Sequence, residues 1–376
     1  MRILIPTADY PPIEGGISTV ALNVARELSA MGHDVTVVAP AFPGLSAFDA
    51  AEPYTVVRFR GYGLGWFRFI PMALATLPRI RASDLILGIN IAYGGVLGLV
   101  ANILSRKPYV AFGYAYEFLK FPAWSPPAAL LRAAYRRARV VVAISRFTRD
   151  ALVRFGVPAD CIETILPGAA PIRDVTKADI DTIKERYSLN GHRLIFAAGR
   201  MVPRKGHATL VRALPRILEK HPETVLICAG RGPAKPDVER AVRELDLDAH
   251  VRIPGKLSDE ALATLYSMCD VFAMPAGEGV RGQVEGFGLV FAEAGAYGKP
   301  VVAGRSGGMP DAVLDGKTGL LVAPDDPAAS AEALLRILDD ADFARRLGEA
   351  GRERVARELN WTTFTRRIVD AVERRA

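Results

Sequence analysis

Cysteine and histidine are sparse in this chain, and neither is patterned. Cys161, Cys228 and Cys269 are too widely spaced for a disulfide framework or a metal-ligand motif, which fits small core residues in a reducing compartment. The five histidines, His33, His192, His207, His221 and His250, are scattered. The Asp-x-Asp at Asp246 to Asp248 reads as the solvated end of a helix before VRIPG, so no metal site is expected. No low-complexity tract and no repeat at solenoid spacing occurs, which excludes array folds. One uncharged run, residues 85 to 104, approaches membrane-spanning length, but its two asparagines and four glycines divide it into a strand (DLILGIN), a glycine turn and a helix. Met1 leads directly into RILIPTA, a first buried strand, so no cleaved leader is expected and a cytoplasmic location is.

What is present is apolar sequence in alternation. Half of the 376 residues are apolar, enough to fill two cores, and the length suits two domains. Short apolar runs read as strands at RILIPTA, DVTVVAP, YTVVRFR, DLILGIN, PYVAFGY, RVVVAIS and IETILPG. After a polar stretch the pattern restarts with RLIFAAG, TVLICAG, VRIPG, DVFAMPA, PVVAGRS and GLLVAP. Strands separated by helical stretches argue for parallel sheets covered by helices, hence an α/β fold of two Rossmann-like domains facing across a cleft. The expected domains are 1–168 and 169–356, with a last helix, 357–376, whose apolar side (Trp361, Phe364, Ile368, Val369) returns to the first domain. Ligands of such sheets bind at the carboxyl ends of the strands.

Charge is uneven. Met1 to Ile165 carries 17 Lys plus Arg against 11 Asp plus Glu, whereas the remainder is nearly neutral. Residues 53 to 83 hold five arginines and no acid, interleaved with Tyr62, Trp66, Phe67 and Phe69. Cations with aromatics suit nucleic acid, but no nucleic-acid motif accompanies them. Residues 58–81 fit peripheral contact with an anionic membrane better, or a solvated face over a buried helix.

Three loops carry candidate chemistry. Gly15 and Gly16 precede a helix in the first strand-to-helix loop, where backbone can approach a phosphate; the spacing does not match the dinucleotide G-x-G-x-x-G, and GYGLG at 61–65 lacks its setting. GRMVPRKG places Arg200 at a strand end and Lys205 just before a helix, two cations able to stabilise a departing diphosphate. EGFGLVFAE sets Glu285 and Glu293 with seven residues between them, Gly286 and Gly288 included, Glu285 on a loop and Glu293 about two turns into a helix that begins there. The helix start suits a phosphate and the acids suit sugar and ribose hydroxyls. A glycosidase carboxylate pair would also use two acids, but it leaves Arg200 and Lys205 without purpose.

In combination, GGI, GRMVPRKG, the E-x7-E stretch and KPVVAGRSGGMPDAVLDGKTGLLV resemble the retaining glycosyltransferases of family 4, which have the GT-B fold. The segment from DVFAMPAG to AGRSGG is most similar to bacterial phosphatidylinositol mannosyltransferases. The resemblance implies a hexosyltransferase that needs no metal or other cofactor, takes a nucleotide sugar (GDP-mannose before UDP- or ADP-sugars) and serves a lipid or glycan acceptor at the inner membrane face. It assigns Arg200 and Lys205 to the diphosphate, Glu285 to the hexose and Glu293 to the ribose. Backbone around Phe287, Gly288 and Leu289 would meet sugar and phosphate, Lys256 the base, and Gly16 the phosphate. The reaction implied is a front-side substitution in which the leaving phosphate helps deprotonate the acceptor, with no protein nucleophile. Where the family carries histidine in segments like THGYEY, this chain reads GYAYEF, with Tyr114 at the histidine position and Ala115 at the glycine; the PNG-like turn reads Leu166, Pro167, Gly168, Ala169. A non-catalytic sugar-nucleotide-binding subunit, or a GT-B epimerase or phosphorylase, remains an alternative.

Overall fold

The computed structural model describes residues 1–170, 172–279 and 283–375. Among them, thirteen strands form two wholly parallel sheets. The first contains β1 (Arg2–Pro6), β2 (Asp34–Pro40), β3 (Thr55–Phe59), β4 (Leu85–Gly88), β5 (Tyr109–Gly113), β6 (Val140–Ala143) and β7 (Ile162–Thr164), in the order β3-β2-β1-β4-β5-β6-β7. The second contains β8 (Arg193–Ala198), β9 (Thr224–Ala229), β10 (Val251–Gly255), β11 (Val271–Met274), β12 (Val301–Gly304) and β13 (Leu320–Val322), in the order β10-β9-β8-β11-β12-β13. Each expected strand run contains one of these strands. The central ones, such as β4, β5, β6, β9 and β11, are buried at every position, because helices cover both faces and no polar alternation survives.

Strand order reverses between β1 and β4 in one sheet and between β8 and β11 in the other. At such a switch point adjacent loops leave in opposite directions and open a crevice at the carboxyl ends of the strands. The uncharged run 85–104 resolves into β4, a turn over Ile91–Gly95 and a helix over Val96–Ser105. Among the described residues no helix is long and apolar enough to cross a membrane.

The chain divides into two compact units, Met1–Pro167 with the segment from Trp361 onward, and Gly168–Asn360. The last crossing therefore comes at Asn360, later than the expected 357, because Arg357 still belongs to the helix Ala341–Arg357, which packs on Leu289–Ala296. The final helix, Trp361–Glu373, lies beside the helix Gly16–Ala30 of the first unit. It buries Trp361, Phe364, Ile368 and Val372, while Val369 stays half-buried. Phe364 meets Phe112 of β5 at 6.4 Å, and each such side chain withdrawn from water contributes about 1.5–3 kcal/mol. Arg375 completes the join with Glu163 at 3.0 Å. Cys228 and Cys269 are core residues as expected, whereas Cys161 is half-buried in a turn before β7.

Candidate active site

In the second unit the site grows from the loop after β8. Pro203–Lys205 forms a single 3-10 turn, and Gly206, at φ 75, starts the helix His207–Leu218. A side chain at Gly206 would sit 2.6 Å from the Pro275 carbonyl, so only glycine lets this loop lie against the segment leaving β11. The backbone N–H of Gly277 donates to the Arg204 carbonyl at 2.8 Å and closes the same seam.

That seam brings two cations onto one acid. Glu285 Oε2 lies 2.7 Å from Arg204 Nη1 and 2.7 Å from Lys205 Nζ, with all three side chains largely buried. Burial alone would push the Glu285 carboxyl up, but the charges and hydrogen bonds of Lys205 and Arg204 outweigh it and hold it at about 2. Two positive charges against one negative leave the cluster cationic, and the helix Leu289–Ala296 begins close by in sequence. Its N-cap, Gly288, takes φ 93, where a side chain would also strike Phe291 at 2.7 Å.

The structure refines several expected placements. Lys205 and Glu285 are brought together, and Arg204, which no motif singles out, is their third partner. Glu285 is therefore not a free carboxylate awaiting a hydroxyl, since Oε2 is already held by two cations. Arg200 is exposed at the end of β8 and joins no ion pair among the described residues. Glu293 is the fifth residue of its helix, little more than one turn in and not the expected two, because the helix starts at Leu289. Its Oε2 accepts a hydrogen bond from the Tyr266 hydroxyl at 2.9 Å, and burial raises its carboxyl against that bond. Each acid thus has its own protein partner. Phe287 is buried, which leaves only its backbone for a ligand; Leu289 is the first helical residue, and Lys256 is exposed just after β10. His207, next to this cluster, is buried with both ring nitrogens unpartnered among the described residues, and burial followed by the Lys205 charge lowers it to about 4. Among the described residues no group of three His, Cys, Asp or Glu side chains is placed to share a metal ion.

In the first unit, Gly15 caps the helix Gly16–Ala30 after β1, as its position before an apolar stripe requires. Across the switch point the Asn90 side-chain amide donates to the Asp9 carboxylate, a pairing between the ends of β1 and β4 that no local motif announces. Tyr114 follows β5. Its hydroxyl is shut away from solvent without a hydrogen-bond partner among the described residues, and burial, then Glu117 and Asp9, push it well above the usual phenol range. Ala115 adopts φ 84, a conformation that glycine takes freely and alanine does not.

Of the five arginines between residues 53 and 83, two prove to be internal struts. Arg58 pairs with Asp49 at 2.6 Å, and Arg68 lies over the rings of Tyr62 and Tyr93 at 5.0 and 4.5 Å. Arg60 and Arg81 are exposed. The helix Phe69–Ile80 buries Met72, Thr76 and Ile80 on one side. On the other, Ile70, Leu74 and Leu77, with Phe67 just before, are 57%, 68%, 38% and 71% exposed.

Residues 14–171 match the family described as Glycosyltransferase Family 4, and residues 179–354 match Glycosyl transferases group 1. A GDP-mannose-dependent alpha-(1-6)-phosphatidylinositol monomannoside mannosyltransferase of Mycolicibacterium smegmatis is 33% identical, over 99% of this chain and 98% of that protein. Its counterpart in Mycobacterium tuberculosis is 32% identical over 98% and 97%. Among solved structures, sucrose-phosphate synthase of Thermosynechococcus elongatus matches with a TM-score of 0.81 and 25% identity over 99% of this chain and 98% of that one. Anabaena HepE in complex with UDP-glucose matches with a TM-score of 0.82 and 20% identity over the whole of both chains.

Proposed function

We propose, from the premise that this chain belongs to glycosyltransferase family 4 and is a hexosyltransferase of GT-B fold, that it moves mannose from GDP-mannose to a phosphatidylinositol mannoside-type lipid, with retention of configuration and without a metal. The observation that carries this reading is the buried Arg204–Lys205–Glu285 cluster at the β8/β11 switch point. When the sugar–phosphate bond breaks, negative charge grows on the diphosphate. Preorganised cations in a partly dry site stabilise that charge without reorganising. Lys205, held by Glu285, is one such cation; Arg204 and the exposed Arg200 are the others. Glu285 Oε1 accepts a hydroxyl of the hexose while Oε2 stays with the two cations, and Glu293 with Tyr266 takes the ribose. The departing phosphate receives the acceptor's proton, so no protein nucleophile is needed.

The exposed row of Phe67, Ile70, Leu74 and Leu77, with Arg60 and Arg81, supports peripheral attachment to an anionic bilayer on the cytoplasmic side. Such attachment would bring a lipid acceptor within reach.

The deciding experiment incubates the protein with GDP-mannose and phosphatidylinositol monomannoside in EDTA. GDP release and an α-linked product are expected. Absolute dependence on an added divalent ion would refute metal independence, and an inverted product would refute retention. Tyr114 at the usual histidine position favours one competing reading, a subunit that binds sugar nucleotide without turning it over. That reading predicts GDP-mannose affinity with no GDP release.

A further inference from the structure

The carboxylate of Glu117 clasps the turn that ends β5. Its Oε1 accepts a hydrogen bond from the Tyr114 backbone N–H at 2.6 Å. The Tyr135 hydroxyl reaches the same oxygen at 3.3 Å and the Phe112 carbonyl at 3.2 Å. Between Tyr114 and Glu117, Ala115 takes φ 84 and ψ −65. A non-glycine residue held there costs about 1–3 kcal/mol and persists only where its surroundings over-determine it. Two attachments do so. Phe118 is fully buried with its ring 5.7 Å from Tyr135 and 5.0 Å from Phe155, and Glu117 binds back to Tyr114. What the turn presents is the Tyr114 hydroxyl, closed off from solvent and unpartnered among the described residues. Leaving such a group unsatisfied costs about 1–3 kcal/mol, which a hydroxyl of a bound sugar would relieve.

We infer that Glu117 is a positioning residue: by tying the Tyr114 amide to the Tyr135 hydroxyl, it fixes the strained turn that offers the Tyr114 hydroxyl to a sugar hydroxyl of the substrate. This rests on the reading of Tyr114 as a substrate contact. The groups facing Glu117 are Tyr114 just after β5, Tyr135 on the helix Pro126–Arg137 and Lys120 just past the short helix Tyr116–Leu119 that carries Glu117; Asp9, after β1, faces Tyr114. Burial raises the Glu117 carboxyl to about 7, while the bonds from Tyr114, its own N–H and Tyr135, and the Lys120 charge, pull it down. Protonation near neutral pH weakens the clasp, so turnover rises as pH passes through that point.

The experiment measures GDP release from GDP-mannose with phosphatidylinositol monomannoside across pH for the wild type, Glu117→Gln and Tyr135→Phe. Glu117→Gln is expected to lower kcat roughly 10- to 100-fold, leave KM for GDP-mannose unchanged and abolish the limb near pH 7. Tyr135→Phe removes a bond that favours the charged carboxylate, so the limb moves to higher pH. In the Tyr114→Phe background, Glu117→Gln is expected to cost little more, since it acts through Tyr114. Carboxyl and ring NMR of the ligand-free protein gives a readout that needs no substrate: titration of Glu117 shifts the Tyr114 ring signals. Wild-type kcat and pH profile in Glu117→Gln, or Tyr114 signals indifferent to Glu117, would overturn the inference. If Glu117→Gln does not fold, Tyr135→Phe carries the test alone, and an unmoved limb counts against it. A wild type that releases no GDP while the NMR coupling persists sinks the proposed reaction and leaves the clasp standing.

Discussion

Lys205 Nζ and Glu285 Oε2 lie 2.7 Å apart, a buried ion pair between the loop after β8 and the loop before the helix Leu289–Ala296. On the proposed reaction, the pairing keeps the ammonium fixed to meet a departing diphosphate. Lys205→Ala is expected to lower kcat by roughly a hundred- to a thousandfold, about 3–4 kcal/mol, the range seen when one preorganised donor is deleted. Steady-state GDP release measures it. Turnover equal to wild type would reduce the pair to a strut between two loops.

Glu285 also links the site to acid stability. Its carboxyl is held at about 2, below the usual 4.5. A carboxylate depressed by folding adds stability that is complete above its unfolded value and is lost as pH falls through the folded one. The pair is thus expected to contribute on the order of 3 kcal/mol at neutral pH, disappearing between about pH 4.5 and 2. Glu285→Gln should flatten that part of the curve of unfolding free energy against pH. A variant as acid-sensitive as wild type across that window contradicts the assignment.

His207 acts in a neighbouring window. Buried with both nitrogens unpartnered among the described residues, it binds a proton at about 4 when folded against 6.5 when unfolded. The unfolded chain therefore takes up the proton first, and stability falls from pH 6.5 down to about 4 by roughly 3 kcal/mol. His207→Met, of similar volume, should remove that slope and gain about 1 kcal/mol at pH 7 by deleting unsatisfied polar atoms. Denaturant titrations at pH 7 and pH 5 test both. An unchanged slope shows that the proton goes elsewhere.

Ala115 sits at φ 84, a backbone conformation that glycine adopts freely. Ala115→Gly should release about 1–3 kcal/mol of backbone strain and give back about 0.5–1 kcal/mol in chain entropy, for a net gain of about 1 kcal/mol. A melting temperature at or below that of wild type would mean that the turn stores no strain.

Which of these features the sequence discloses follows from how local each one is. Strands buried on both faces write themselves as unbroken apolar runs, so β4, β5, β6, β9 and β11 are legible without any partner being known. Lys205 and Glu285 are legible as chemistry because glycines and helix starts flank them. Their mutual contact is not, because it depends on Gly206 letting one loop lie on the segment after β11. Arg204 is hidden for the same reason: in PRK two adjacent cations look interchangeable until a 3-10 turn aims both at one oxygen. Asp9 with Asn90 and Glu117 with Tyr135 join residues far apart in the chain, and no spacing rule reaches them. The arginine stripe shows the converse error. Composition counts charges, but Asp49 and two tyrosine rings had already claimed Arg58 and Arg68.

The exposed row on the helix Phe69–Ile80 yields the last prediction. Ile70, Leu74 and Leu77 recur at helical spacing on the side opposite the buried Met72, Thr76 and Ile80, and Phe67 in the turn just before is exposed as well, so water meets a row of apolar side chains. Burying one such side chain in the acyl boundary is worth about 1.5–3 kcal/mol, and each nearby arginine about 1 kcal/mol against anionic lipid. The protein should therefore co-sediment with phosphatidylserine or phosphatidylinositol vesicles at low salt and less so with phosphatidylcholine alone. Leu74→Glu should weaken that association by roughly tenfold or more, whereas Arg60→Gln with Arg81→Gln should mainly remove its salt dependence. Equal sedimentation of Leu74→Glu and wild type would show that the row does not enter the bilayer, and no binding to any vesicle at low salt would remove the membrane from the proposal.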